Sequence, residues 1–212
     1  MKITVTGNRW IPWPNSMDFR ETYFKNAAAL KLREHNVCLK GGLITLRPMM
    51  EDDWPLVEKW ETDPEVLFWS DGDNVTTRTP EEVRVIFRTV SQQAYCFIIE
   101  SEGRPIGDCW LQKMNLPEIL GKYPGKDCRR IDLAIGEKGL WGKGLGTDVL
   151  RVLTKSAFEQ EKADIVFGLP ESYNALSRRA FEKAGYTEVM QIPEPPGGKA
   201  KYTCVLAISK SG

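Results

Sequence analysis

The stretch from Arg130 to Thr147 constrains the fold most, because an apolar strand here runs into a glycine-rich loop that opens a long amphipathic helix. The strand reads Arg130-Ile-Asp-Leu-Ala-Ile-Gly136, and the loop reads Trp141-Gly-Lys-Gly-Leu-Gly-Thr147. Glycines at a helix start expose backbone N–H groups, where roughly half a unit of positive charge accumulates. The stretch therefore predicts a binding site for a pyrophosphate, with the carboxylate of Asp132 on the strand that leads to it.

The composition excludes several classes of partner. The 212 residues include 29 Lys plus Arg and 29 Asp plus Glu, so the formal net charge is zero and no basic block suits a nucleic acid. No apolar run approaches the ~20 residues that cross a bilayer, and the first residues lack a signal-peptide pattern. We therefore expect a cytoplasmic protein with no membrane partner. Five scattered cysteines and a single histidine predict reduced thiols and no metal site.

Residues 1–42 differ from the rest of the chain. They open with Trp10, Pro12 and Trp13, continue with a predicted helix over 20–34, and end in a glycine pair. This pattern predicts an N-terminal extension, residues 1–42, that packs on a main domain of residues 43–212. We expect the extension either to cover a sheet edge or to build a contact in a homodimer.

From residue 43 onward, strand and helix patterns alternate. Thr79-Pro80-Glu81-Glu82 is typical of a helix start, with a capping residue, proline at the first helical position and acids in the first turn. Gly185 stands where a left-handed cap ends a helix. Strands are predicted at 43–48, 95–100, 105–111, 130–136, 164–169, 188–192 and 202–208, and helices at 51–60, 79–90, 144–161 and 174–184. The sum is a mixed α/β domain of about seven strands and four helices, with a loop at 113–126.

Two common phosphate loops do not fit the glycines after the strand. A P-loop requires Ser or Thr after its lysine, and here Gly144 follows Lys143, while Glu137 occupies the place of the first glycine. A dinucleotide fingerprint fits poorly, because Thr147 stands in the last place and five residues separate the strand from the loop.

A third pattern, R/Q-x-x-G-x-G/A, matches both glycines of Trp141–Gly146, with Trp141 in the place of Arg or Gln. Downstream, Asn174-Ala-Leu-Ser-Arg-Arg-Ala-Phe-Glu-Lys-Ala-Gly-Tyr186 resembles N-x-x-A-x-x-x-Y-E-K-x-G-F. Together these two motifs resemble the GNAT N-acetyltransferase superfamily over residues 43–209. The chain looks most like the aminoglycoside 6'-N-acetyltransferases, which share the patterns of Gly103–Gly107, Ile131-Asp132 and Lys143–Thr147. The resemblance implies a mixed, mostly antiparallel central sheet that splays at its central strands.

The resemblance also implies acetyl-CoA as co-substrate, with no metal. The backbone of the central strand would pair with the pantetheine arm, the loop amides would hold the pyrophosphate, and an asparagine would contact CoA. By position, the strand residues that would pair with the pantetheine arm are Ala134, Ile135 and Gly136. The loop residues that would hold the pyrophosphate are Gly142, Lys143, Gly144, Leu145, Gly146 and Thr147, and the asparagine is Asn174.

Asp132 matches the aspartate with which such enzymes position or deprotonate the attacking amine. The alternative is a structural ion pair with Arg129 or Arg130. The usual general acid is a tyrosine, and Phe181 stands in its place. Either the CoA thiolate leaves without a side-chain donor, or Tyr186 or water supplies the proton.

The acceptor side is predicted in the segment Phe68-Trp-Ser-Asp-Gly-Asp73, where relatives build a substrate wall. Trp69, Asp71 and Asp73 could receive a polycationic sugar, with the carboxylates pairing to ammonium groups. The alternative is an ordinary Asp-Gly turn beside a buried tryptophan. Leu169 lies where close relatives place a substrate-binding aspartate.

Three hypotheses for function remain open on the sequence. The first is acetylation of a primary amine on an aminoglycoside or similar small polyamine. The second is a GNAT enzyme that acts on a protein N-terminus or another metabolite amine. The third is a catalytically silent module that binds acyl-CoA.

Overall fold

A computed structural model of the chain describes residues 29–71 and 77–210. The described residues form eight strands: β1 (Leu39–Lys40), β2 (Thr45–Pro48), β3 (Ala94–Ser101), β4 (Arg104–Lys113), β5 (Cys128–Ile135), β6 (Ile165–Gly168), β7 (Thr187–Pro193) and β8 (Tyr202–Ser209). They make one sheet in the order β1-β2-β3-β4-β5-β6-β8-β7. Neighbouring strands are antiparallel except β5 and β6, which are parallel.

Six α-helices lie in the same described residues: α1 (Trp54–Glu61), α2 (Pro64–Ser70), α3 (Pro80–Ser91), α4 (Pro117–Leu120), α5 (Leu145–Glu159) and α6 (Ala175–Lys183). Short 3-10 turns precede α1, at Glu51–Asp53, and α5, at Lys138–Leu140. None of the helices in the described ranges is long and apolar enough to cross a membrane.

The helices cover both faces of the sheet. Because successive side chains of a strand point to opposite faces, Cys109 of β4 and Ile131 of β5 lie on one face, where they pack with α5. Cys96 and Ile98 of β3 lie on the other face, in a core with α1 and α3. The predicted fold class, a mixed and mostly antiparallel sheet between helices, is therefore confirmed.

The parallel pair in the middle of the sheet separates soon after it forms. β5 pairs with β6 only at residues 128–130. Residues 131–135 of β5 continue along β4 without a second partner strand in the described part of the chain. This is the predicted splay, and it opens a gap in the sheet.

The counts of about seven strands and four helices were low. The additional strand is the two-residue β1, and the additional helices are α2 and α4. The start of α2 does carry a signal, because the Asp63 side chain accepts from the N–H groups of Glu65 and Val66 and Pro64 takes the first helical position. Four-residue α4 lies inside the predicted loop at 113–126 and has no side-chain cap.

The predicted helix at 20–34 is wrong over its described part. Residues 30–38 have no regular secondary structure, and residues 1–28 lie outside the described residues. The backbone N–H of Arg33 donates to the Ser91 hydroxyl, and its guanidinium donates to the Ala94 carbonyl, so this segment runs along the end of α3 and the start of β3. The boundary at residue 42 stays a prediction.

Candidate active site

A cavity of about 570 Å³ lies where β5 and β6 separate. Its lining includes Leu133, which lies beside the start of α5. A Cβ added to Gly146 of α5 would be 3.6 Å from a methyl group of Leu133. The lining also includes Asp132 and Ala134, which alternate with Leu133 and face the opposite side of the sheet. The cavity therefore reaches through the gap, with the start of α5 on one face and helices α1–α3 on the other.

Glycine is required in the loop before α5. Gly142 and Gly144 have φ angles of 76° and 85°, which ordinary side chains rarely adopt. The first N–H groups of α5 have no partner within the helix, and their partial positive charge faces the cavity. The loop residues Gly142, Gly144 and Leu145–Thr147 line the cavity, whereas the exposed Lys143 does not.

Trp141, which stands where the glycine-loop pattern has Arg or Gln, links the loop to the end of β5 by a hydrogen bond. Its indole N–H donates to the Ile135 carbonyl oxygen at 2.6 Å. The Ala134 carbonyl instead points toward β4, since it would lie 2.1 Å from a Cβ on Gly107. Because backbone directions alternate along a strand, the Ile135 N–H faces the gap. Ala134 and Ile135 line the cavity, and Gly136 does not.

Asp132 forms the ion pair that the sequence left open as an alternative. Its two carboxylate oxygens each accept from the Arg130 guanidinium at 2.8 Å, and Gln112 donates to it at 3.5 Å. The Arg130 side chain is fully buried, while 21% of the Asp132 side chain is exposed. Asp132 therefore presents a fixed carboxylate to the cavity, whatever its chemical role.

Asn174 lines the cavity and also holds two segments together. Its side-chain oxygen accepts from the Ser177 N–H and caps α6, and its amide donates to the Trp69 carbonyl at 2.7 Å. The neighbouring Tyr173 hydroxyl donates to the Phe68 carbonyl at 2.9 Å. The end of α2 is thereby fixed beside the start of α6.

Of the predicted acceptor residues, Trp69 and Asp71 line the cavity. Asp73 lies outside the described residues. Asp71 forms an ion pair of 2.7 Å with Arg78, whose side chain is 9% exposed.

A buried group of charged residues at this end of the cavity was missed by sequence reasoning. Arg78 also pairs with Glu61 at 2.8 Å, and Asp108 lines the cavity with 1% of its surface exposed. Burial raises the pKa of Glu61 to about 7. Burial, with the carboxylates of Glu61 and Asp71 nearby, raises the pKa of Asp108 well above its ordinary value. The only sequence signal was a lone acid, Asp108, at an inward position of an apolar strand.

Basic side chains lie at the other end of the cavity, near the glycine loop. Arg179 and Lys183, one turn apart on α6, line the cavity beside the glycine loop. A neighbouring depression of about 500 Å³ shares Gly144, Thr147 and Lys183 and adds Arg151. The cavity thus has a cationic end and an anionic end on opposite faces of the sheet.

Phe181 is a buried side chain, 4% exposed, that packs edge-on against Tyr186 with ring centroids 5.0 Å apart. The Tyr186 hydroxyl shares a hydrogen bond of 2.5 Å with Thr154, and burial raises its pKa. Tyr186 does not line the cavity, which argues against its serving as the proton donor.

Comparisons with known proteins agree with this geometry. A sequence model of the acetyltransferase (GNAT) domain matches residues 44–187. The aminoglycoside N(6')-acetyltransferase type 1 of Klebsiella pneumoniae is 24% identical over 167 residues, covering 73% of this chain and 79% of that protein.

Solved structures share the fold. The structure of AAC(6')-Ib in complex with paromomycin and acetyl-CoA superposes with a TM-score of 0.64 at 24% identity, over 79% of this chain and 94% of that one. The RimL ribosomal L7/L12 α-N-protein acetyltransferase, in complex with coenzyme A, superposes with a TM-score of 0.65 at 14% identity, over 82% and 98%.

Proposed function

The chain belongs to the GNAT acetyltransferase family, and we propose that it transfers an acetyl group from acetyl-CoA to a primary amine of an aminoglycoside or similar small polyamine. The observation that carries the proposal is the cavity that connects the two faces of the sheet. An anionic cofactor fits its cationic end, and an ammonium group fits its anionic end. The two would meet at residues 131–135 of β5.

The residues at the cationic end fit acetyl-CoA. Gly142 and Gly144 leave the loop amides open, α5 supplies a 15-residue helix dipole, and Arg179 and Lys183 add charge. The N–H of Ile135, directed into the gap, suits both the pantetheine arm and the oxygen of an acyl group. Bound acetyl-CoA would supply an activated acetyl thioester. A donor placed against the developing oxyanion contributes about 10²–10³ in rate.

The anionic end fits the acceptor. An attacking amine arrives as an ammonium ion at neutral pH and must lose a proton before it attacks. We assign Asp132 to contact that ammonium, and Trp69, Asp71 and Asp73 to contact the rest of the acceptor. In the described part of the chain, the three carboxyl groups of Glu61, Asp71 and Asp108 outnumber the one guanidinium there, that of Arg78. This charge balance favours a cationic acceptor.

The leaving group needs no side-chain acid. A thiol has an ordinary pKa of about 8.5, so CoA can depart as a thiolate near neutral pH. This accounts for an apolar Phe181 at the position of the usual tyrosine.

A second candidate acceptor is a protein N-terminus. It is supported by the RimL structure, which superposes as well as the aminoglycoside enzyme does, and by Leu169 where an acceptor-binding aspartate was expected. An N-terminus carries one ammonium, whereas the anionic end holds three carboxylates, which favours the polyamine.

We expect the purified protein to release thiol from acetyl-CoA in the presence of aminoglycosides or small polyamines, and more slowly with peptides. Free thiol should be measured with each amine, and each product identified by mass. A reaction without acceptor serves as the control, because it measures simple hydrolysis. Binding of acetyl-CoA without transfer to any amine would favour a silent acyl-CoA-binding module instead.

Replacing Gly142 with alanine should weaken acetyl-CoA binding by about tenfold, equivalent to about 1.4 kcal/mol. The matched control is Gly103→Ala in the β3–β4 turn. The two glycines have φ angles of 76° and 75°, and an added Cβ meets nothing within 4 Å at either site. Each variant should lose about 1 to 2 kcal/mol of stability from left-handed strain, but only Gly142→Ala should lose affinity in titration calorimetry. Equal affinities in the two variants would contradict the assignment of the loop.

A further inference from the structure

Asp108 is a buried carboxylate at the cavity that neither motif contains. It lies in the middle of β4 with 1% of its surface exposed. Among the described residues its Oδ2 atom has no hydrogen-bond partner. A carboxylate oxygen in such a place is strongly disfavoured unless something pairs with it, so the atom points to a cationic or proton-donating ligand.

The register of the sheet places Asp108 beside the expected reaction point. Asp108 pairs with Ala134 across the β4–β5 ladder, and the next residue, Ile135, turns its N–H into the gap. Paired residues of antiparallel strands lie about 5 Å apart and face the same side. Asp132 also faces this side, but two residues back, about 7 Å along β5. Judged by the register of the Cα atoms, Asp108 is the nearer of the two residues to Ala134 and Ile135.

The two carboxylates also differ in their partners. Both oxygens of Asp132 accept from the Arg130 guanidinium, which holds this carboxylate in one position. Asp108 is faced by Glu61 from α1, Asp71 from the end of α2 and Arg78 from the segment before α3.

Among the described residues, the remaining titratable groups near Asp108 are the buried thiols of Cys96 on β3 and Cys109 on β4, whose pKa values are raised by burial and by Asp108 itself. With three carboxylates and one guanidinium in this group, a proton is held more readily on Asp108 than on a solvated carboxylate. Burial and its acidic neighbours raise the pKa of Asp108, which suits a group that must take a proton near neutral pH.

We propose that Asp108 is the proton acceptor for the attacking amine and that Asp132, fixed by Arg130, positions the ammonium. This inference rests on the proposed acetyl transfer. In the first step one N–H bond of the ammonium breaks, the proton passes to Asp108 Oδ2, and the nitrogen keeps the electron pair. The nitrogen then bonds to the thioester carbonyl carbon.

The remaining changes balance the reaction. The C–S bond breaks with its electron pair going to sulfur, and the second nitrogen proton neutralises the thiolate. The products are the acetamide, CoA thiol and one proton on Asp108, which then passes to solvent. No oxidant, reductant or metal is required.

The test is Asp108→Asn, which keeps the shape of the side chain. We expect kcat for the best amine of the panel to fall by about 10²–10⁴-fold, and the rise of kcat with pH to flatten, with acetyl-CoA affinity unchanged. Asp132→Asn should instead raise KM more than it lowers kcat and keep the pH dependence. Asp52→Asn, an exposed acid outside the cavity lining, is the charge control.

Glu61→Gln gives a second measurement that does not depend on the Asp108 variants. Removing the Glu61 charge removes one cause of the raised Asp108 pKa, so the pH dependence of kcat should shift to lower pH and persist. A kcat for Asp108→Asn within threefold of the wild type, or a lowered kcat with the original pH dependence, would overturn the role of Asp108 alone. Absence of acetylation by the wild-type protein would overturn the proposed function and, with it, this inference.

Discussion

The titration of Glu61 is expected to lower the free energy of unfolding by about 2 to 3 kcal/mol between pH 5 and pH 8, because Glu61 is buried beside other carboxylates. Its pKa is about 7 in the folded protein, against a model-peptide value of 4.5. Between these values the folded state binds more protons than the unfolded state, so stability falls as the pH rises. A difference of between two and three pKa units corresponds to about 3 kcal/mol over the whole titration, most of which falls between pH 5 and pH 8, and Asp108 acts in the same direction.

Urea unfolding at a series of pH values above 5 measures this slope. Groups with lowered pKa values act in the opposite sense: His35 does so up to about its ordinary pKa of 6.5, and Asp63 and Glu137 do so at lower pH. Glu61→Gln is the control, because glutamine keeps the size of the side chain and does not titrate. Its stability curve should be flatter than that of the wild type, and Asp108→Asn should flatten the curve as well. A Glu61→Gln curve as steep as the wild-type curve would contradict the origin of the effect.

Elements whose stabilising groups are close in sequence were predicted well. The helix that starts after Thr79 does so with a reciprocal cap, in which the Thr79 hydroxyl accepts from the Glu82 N–H and the Glu82 carboxylate accepts from the Thr79 N–H. Gly185, at φ 98°, follows the end of α6 as expected. These signals depend on hydrogen bonds between residues three or four apart.

The predicted helix failed at its described residues, 29–34, because the partners of this segment are distant in sequence. Arg33 bonds to Ser91 and Ala94, about sixty residues later. Nothing within the segment favours this irregular path over a helix. Tertiary contacts decide it, and local propensity is only a weak guide in such a case.

The candidate site divides in the same way. The glycine loop and Asp132 lie within one continuous strand–loop–helix, so their proximity follows from the sequence alone. Glu61, Arg78 and Asp108 come from a helix, a loop and a strand, and only the packing of α1–α3 on the sheet brings them together. The sequence could predict the glycine-loop end of the cavity but could not assemble the buried charges of the other end.

Substitution of Gly107 tests how closely β4 and β5 approach each other next to the candidate site. Gly107→Ala is expected to cost about 3 kcal/mol or more in folding stability, because the added Cβ would lie 2.1 Å from the Ala134 carbonyl oxygen. That oxygen belongs to the backbone of β5, so no side chain can move aside, and β4 must shift from β5 next to Asp108. Amine acetylation should fall along with thermal stability.

Two alanine substitutions separate this clash from the general effect of replacing a glycine. Gly139→Ala adds a methyl group in open, exposed space and should stay within about 0.5 kcal/mol of the wild type. Gly136→Ala would place its Cβ 2.0 Å from the Trp60 ring, a side-chain clash that a second substitution, Trp60→Leu, should partly relieve. Unfolding free energies for the three single variants and the double variant decide the matter. A Gly107→Ala protein as stable as Gly139→Ala would mean that β4 and β5 do not approach this closely, and the placement of Asp108 beside Ala134 would fail with it.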